Sequence, residues 1–159
     1  MRKIPAAMIL VLCISVIVHA RQEEQPEDRV QVRGTFGTAT FFESEPHKVF
    51  GAMVDFRLVG GLRVGPEVLY HIGPDQDRDI TSTILLTYDF RRLKRVTPFF
   101  TGGAGVLHST YGRWTRNGVT AGIGGGVKIA ISRNLFVAPE VRVGWEPIGR
   151  AMVSVGYRF

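Results

Sequence analysis

The stretch VLHSTYGRW sets His108 directly before Ser109. A histidine next to a serine hydroxyl is the pairing of base and nucleophile that hydrolytic chemistry uses. In an extended segment, however, successive side chains leave on opposite faces. His108 and Ser109 therefore do not share a side, and Thr110 takes the place two residues after the histidine. His47 and His71 are each isolated in the sequence, and no two histidines have ligand spacing on one face, so no metal site is expected. The single cysteine, Cys13, lies in an apolar run near the start, which leaves the rest of the chain without a thiol nucleophile, a disulfide or a cysteine ligand. No cofactor is implied. What does stand out is a set of charges placed inside apolar segments: Arg33, Arg57, Arg63, Lys128, Arg142 and Arg158 against Asp55, Glu67, Asp89 and Glu140.

The elements that must hold those charges are extended. MRK supplies a positive start, an apolar run of about 15 residues follows, and VHA precedes Arg21, the plan of a secretory signal peptide cleaved after Ala20. That gives a signal segment over 1–20, a short polar leader over 21–29 and one domain over 30–159. Loss of Arg2 and Lys3 takes the formal charge from +6 to +4. The remaining positive charge is dispersed, with neither the basic patch nor the motif that nucleic-acid binding requires. Turn signals recur at ESEPHK (43–48), GG (60–61), GPDQDRD (73–79), RRLKR (91–95), STYGRWTRNG (109–118), SRN (132–134) and EPIG (146–149). Between them the chain is rich in Val, Ile, Phe, Tyr, Thr and Gly with no sustained helical period, which predicts eight strands over 30–42, 48–59, 62–72, 80–90, 97–108, 118–131, 135–145 and 150–159.

Alternation along these strands separates two faces. Ile80, Ile84, Leu86, Tyr88 and Phe90 lie opposite Thr81, Thr83, Thr87 and Asp89, and Val137, Val141, Val143 and Trp145 lie opposite Ala138, Glu140, Arg142 and Gly144. A soluble sandwich could turn its apolar faces inward. Charges of both signs in mid-strand, among many small residues, instead suit the confined interior of a narrow barrel whose apolar face meets lipid. Aromatics near strand ends (Phe36, Phe42, Tyr70, Tyr88, Phe90, Trp145, Tyr157 and Phe159) resemble the interfacial girdles of such barrels. With the N-terminus in the periplasm, the connections at 43–48, 73–79, 109–118 and 146–149 face outward and are on average the longer set. The expectation is an all-β, eight-stranded antiparallel up-and-down transmembrane barrel.

Three stretches carry a family resemblance: TPFFTGGAGV, AGIGGGVKIAISRNLFVAPEVRVGW and the terminal VSVGYRF. On these, residues 30–159 resemble the small eight-stranded outer membrane β-barrel proteins, the OmpA/OmpX-like superfamily. The resemblance implies a bacterial outer membrane location, contact with outer membrane lipid and lipopolysaccharide, and a monomer. It also implies that the last strand is read by the barrel assembly machinery, with Val153, Val155, Tyr157 and Phe159 as the assembly signal.

Three functional readings follow. The first is a non-enzymatic barrel with an envelope-structural or surface-interaction role. An eight-stranded lumen is filled by side chains or holds at most a small ligand, and opposed charges would plug it. The second resembles lipid A deacylases, eight-stranded barrels with a histidine and a serine near the outer leaflet. Their pair is spaced two apart, whereas His108 and Ser109 are adjacent, and a supporting acid is missing on the lipid face, since Glu140 belongs to the interior. The third is a soluble, lipocalin-like secreted barrel.

Overall fold

The computed structural model describes residues 28–41, 45–74 and 77–159. The expected signal segment at 1–20, the leader up to residue 27, and Phe42 lie outside the described residues. Eight strands follow one another: β1 (Val30–Thr40), β2 (His47–Val59), β3 (Leu62–Ile72), β4 (Arg78–Asp89), β5 (Val96–Tyr111), β6 (Trp114–Ala130), β7 (Leu135–Trp145) and β8 (Gly149–Arg158). Their β-branched and aromatic content suits a pleated surface. Each strand pairs antiparallel with the next, and β1 returns to β8 with Val32 opposite Tyr157 and Phe36 opposite Val153, so the sheet closes as a barrel without an edge.

The expected and observed strands differ chiefly around residues 109–118, which composition marks as a loop. Here β5 and β6 continue through it, Tyr111 pairs with Trp114, and only Gly112 and Arg113 form the turn. Gly112 has φ +57°, the conformation that two-residue hairpin turns require. Cross-strand pairs of Thr110 with Thr115 and Tyr111 with Trp114 extend the ladder to its tip. This shortening removes the expected length difference between the two sets of connections. The far end, opposite Asp28 and Phe159, carries the connections 41–46, 73–77, 112–113 and 146–148, and the terminal end carries 60–61, 90–95 and 131–134.

The interior is polar, with two small apolar layers. Ala39, Val49, Leu69 and Met152 pack together with Phe41 toward the far end, and Phe99, Phe136 and Ala138 pack nearer the terminal end. Phe136 fits only because β8 presents Gly156 beneath it, where a Cβ would lie 2.2 Å from the ring. Outside, Phe36, Ile84, Leu86, Phe100, Ile123, Val141 and Val143 are exposed.

Candidate functional site: a charged lumen within an apolar wall

Inward positions alternate with outward ones along every strand, and the lumen between them is filled by side chains that pair by charge. At the terminal end Asp28 accepts a hydrogen bond from Gln31 at 2.6 Å and pairs with Arg57. The oxygen that accepts from Gln31, Oδ2, also lies 3.5 Å from Arg63 and 3.8 Å from Arg158, while Arg57 pairs with Oδ1. Arg63 pairs in turn with Asp55, whose other oxygen lies 3.3 Å from Arg33. Arg33 approaches Glu140 at 3.8 Å, Glu140 pairs with Arg142, and Arg142 donates to Glu67 at 2.7 Å. Cation and carboxylate thus alternate along the barrel axis. Beside this chain Lys128 donates to Asp89 at 2.8 Å and to Gln31 at 2.9 Å, with its ammonium 5.5 Å and 5.7 Å from the rings of Phe99 and Phe136.

All ten charges singled out in the sequence (Arg33, Asp55, Arg57, Arg63, Glu67, Asp89, Lys128, Glu140, Arg142 and Arg158) therefore face the lumen, with Arg57 half-buried at its mouth. Among the described residues the buried charges balance: Arg33, Arg63, Lys128, Arg142, Arg150 and Arg158 against Asp28, Asp55, Glu67, Asp79, Asp89 and Glu140. A lone charge in such a space costs several kcal/mol, so pairing is what allows the lumen to be filled this way. Arg33, Arg63 and Lys128 are at most 2 % exposed, so water does not run past them. At the terminal mouth a space of about 20 Å³ among Asp28, Gln31, Arg57, Asp89, Arg92, Thr97 and Arg158 has room for about one water.

Sequence reasoning missed Asp28, Gln31, Asp79 and Arg150. Asp28 was grouped with the polar leader, yet it is a buried anchor of the network. Arg150 continues the inward series Met152, Ser154, Gly156 and Arg158 by one step, so the alternation could have found it. The isolation of the histidines is also corrected. His47 and His71 are both buried at the far end of the lumen, and Phe41 lies against each, with ring centroids 4.8 Å and 5.5 Å away. Antiparallel pairing brought them together, and spacing within one strand carries no trace of that.

His108 and Ser109 are separated by the barrel wall. His108 is exposed outside and its Nδ1 lies 2.7 Å from Asn117 Oδ1, while Ser109 hydrogen-bonds Asp79 on the inner side. The outer face of β8 presents Val155, Tyr157 and Phe159 in a row, with the last two rings edge-on at 4.8 Å. Small residues on the outward face, Gly102 and Ala121 among them, open a groove of about 630 Å³ between Leu86, Tyr88, Phe100, Ile123, Val143 and Trp145.

With this inside-out polarity in view, the comparisons with solved structures are decisive for the fold. The N-terminal β-barrel domain of Pseudomonas aeruginosa OprF matches with a TM-score of 0.65 at 15 % identity, over 85 % of this chain and 100 % of that one. Neisserial surface protein A matches with a TM-score of 0.68 at 15 % identity, over 82 % of this chain and 96 % of that one. The fold is that of a small outer membrane β-barrel. A de novo designed transmembrane β-barrel matches as well, with a TM-score of 0.56 at 16 % identity over 86 % of this chain and 100 % of the design. At these identities the likeness is one of backbone architecture. No protein-family model and no curated protein matches the sequence.

Proposed function

We propose that this chain is an integral protein of the bacterial outer membrane, monomeric and without catalysis, that serves envelope integrity or surface contact through its far-end turns. One observation carries the reading: the charges are sealed inside and the large apolar side chains stand outside. In water such an exterior would aggregate, whereas in a bilayer it is the required arrangement. A soluble lipocalin-like barrel would keep its apolar side chains in the lumen, the reverse of what is found here. Lipid acyl chains are the natural filling of the outer groove. The split of His108 from Ser109 across the wall favours a non-enzymatic role over lipid hydrolysis. The outward stripe Val153, Val155, Tyr157 and Phe159 is our candidate for the contact with the assembly machinery, on the strength of the family resemblance.

Fractionation tests the core of this reading. The expressed chain should sediment with outer membranes and stay there through washes with urea and high salt, coming out only with detergent. Recovery as soluble protein without detergent would overturn it. Mass spectrometry of lipid A from cells with and without the chain should give the same acyl pattern. Loss of an acyl chain dependent on His108 would favour the hydrolase reading instead.

A further inference from the structure

The far end of the lumen holds a group of side chains that the charge network does not use. His47 Nε2 lies 3.0 Å from Asp77 Oδ2 and 3.5 Å from Asp79 Oδ2, and the three ligand atoms all fall within 4.8 Å of one another. The other ring nitrogen of His47, Nδ1, is 2.9 Å from the carbonyl oxygen of Glu45. A carbonyl only accepts, so Nδ1 carries a proton. Nε2 lies within hydrogen-bond distance of Asp77, so a second ring proton, or a metal ion in its place, can sit between this nitrogen and the two carboxylates. A backbone carbonyl on the distal nitrogen is also how a metal-bound imidazole is held in the correct tautomer.

Further features prepare the place. His47 and Asp79 are buried, while Asp77 is 21 % exposed at the side chain and leaves a route in from solvent. Ser109 hydrogen-bonds Asp79, orienting that carboxylate from behind. Gly73 leaves room for the ring, since a Cβ there would lie 2.3 Å from His47 Nε2. His71, paired in register with Asp79, is fully buried; its Nε2 meets Thr81 Oγ1 at 3.1 Å, and its Nδ1 has no hydrogen-bond partner.

We infer that His47, Asp77 and Asp79 form a binding site for one divalent transition-metal ion of the zinc class at the far mouth of the barrel. A tetrahedral zinc ion with bonds of about 2.0–2.2 Å sets its ligand atoms about 3.3–3.6 Å apart, close to the spacing of His47 from the two aspartates. One nitrogen and two oxygens suit such an ion, with water completing the shell, whereas magnesium and calcium prefer oxygen alone. The site stands apart from the proposed membrane role and can fail without it.

The test uses the untagged chain purified from membranes in detergent, with its barrel fold confirmed by circular dichroism. Titration with zinc chloride in a calorimeter should give saturable binding of one ion per chain, and equal concentrations of magnesium or calcium should not compete. Loss of a supporting hydrogen bond alone costs about 10- to 100-fold in metal affinity, so loss of a ligand in Asp77→Asn should weaken zinc binding at least tenfold. His47→Gln should abolish it. The Asp77 variant keeps the test sound should the buried His47 variant not fold. The inference is overturned by absence of saturable zinc binding, or by an Asp77→Asn barrel that binds zinc as tightly as the parent.

Discussion

Lys128 shows how far single residues in the lumen depend on their partners. It is fully buried, hydrogen-bonded to Asp89 and Gln31, and enclosed by two aromatic rings. Replacing it with methionine keeps the volume but leaves the Asp89 carboxylate buried without its cation, and breaking such a pair costs about 3–5 kcal/mol. Urea unfolding followed by tryptophan fluorescence should register that loss for Lys128→Met. The double variant Lys128→Met with Asp89→Leu should recover most of it, because replacing both charges removes the uncompensated one. The inward direction of Lys128, Glu140 and Arg142 was legible because alternation along a strand assigns a face. Their partners were not, since period two says nothing about which residue of another strand stands opposite. That is why His47 and the pair Asp77 and Asp79, from two separate places in the chain, escaped the sequence reading, and why Asp28, ahead of the first strand, did too.

At the scale of the strand, the test of an outward face is what a charge there costs and how that cost depends on depth. Ile84 sits mid-way along β4 and Ile72 at the far end of β3, and both point outward. Arginine on a lipid-facing wall costs about 2–4 kcal/mol at the bilayer midplane and about 0–1 near its surfaces. Ile84→Arg should therefore destabilise the barrel in phospholipid vesicles by several kcal/mol, while Ile72→Arg should be nearly neutral. Equal effects at the two positions would mean that the outer face is not layered by depth. The β8 stripe gives a related contrast in cells. Ile123→Asp and Phe159→Asp each remove one outward apolar side chain, so a purely structural role predicts similar yields of assembled barrel, and recognition of β8 by the assembly machinery predicts a markedly lower yield for Phe159→Asp. Strand identity and face were readable from composition and alternation. The length of the β5–β6 hairpin was not, because Gly112, Arg113 and Asn117 look like loop residues whether or not a ladder runs between them.

For the whole molecule, burial of equal numbers of opposite charges in the lumen leaves the excess positive charge to the rims, and it is not shared evenly. The 90–95 connection at the terminal end carries Arg91, Arg92, Lys94 and Arg95 within a few residues, joined there by Arg29 and Arg133. The far-end connections mix Arg113 and Arg116 with Glu45, Asp77 and Glu146, and Arg116 is already paired with Glu146 at 3.0 Å. In a bilayer the terminal mouth therefore presents a basic collar at headgroup level. Each cation near an anionic surface contributes about 1 kcal/mol of attraction, and salt screens it within a Debye length. Replacing Arg91, Lys94 and Arg95 together by glutamine should slow or weaken insertion of the refolding chain into vesicles containing phosphatidylglycerol, leave insertion into purely zwitterionic vesicles unchanged, and lose its effect as salt is raised. An equal reduction in both kinds of vesicle would show that these side chains act through the fold of the turn rather than through its charge.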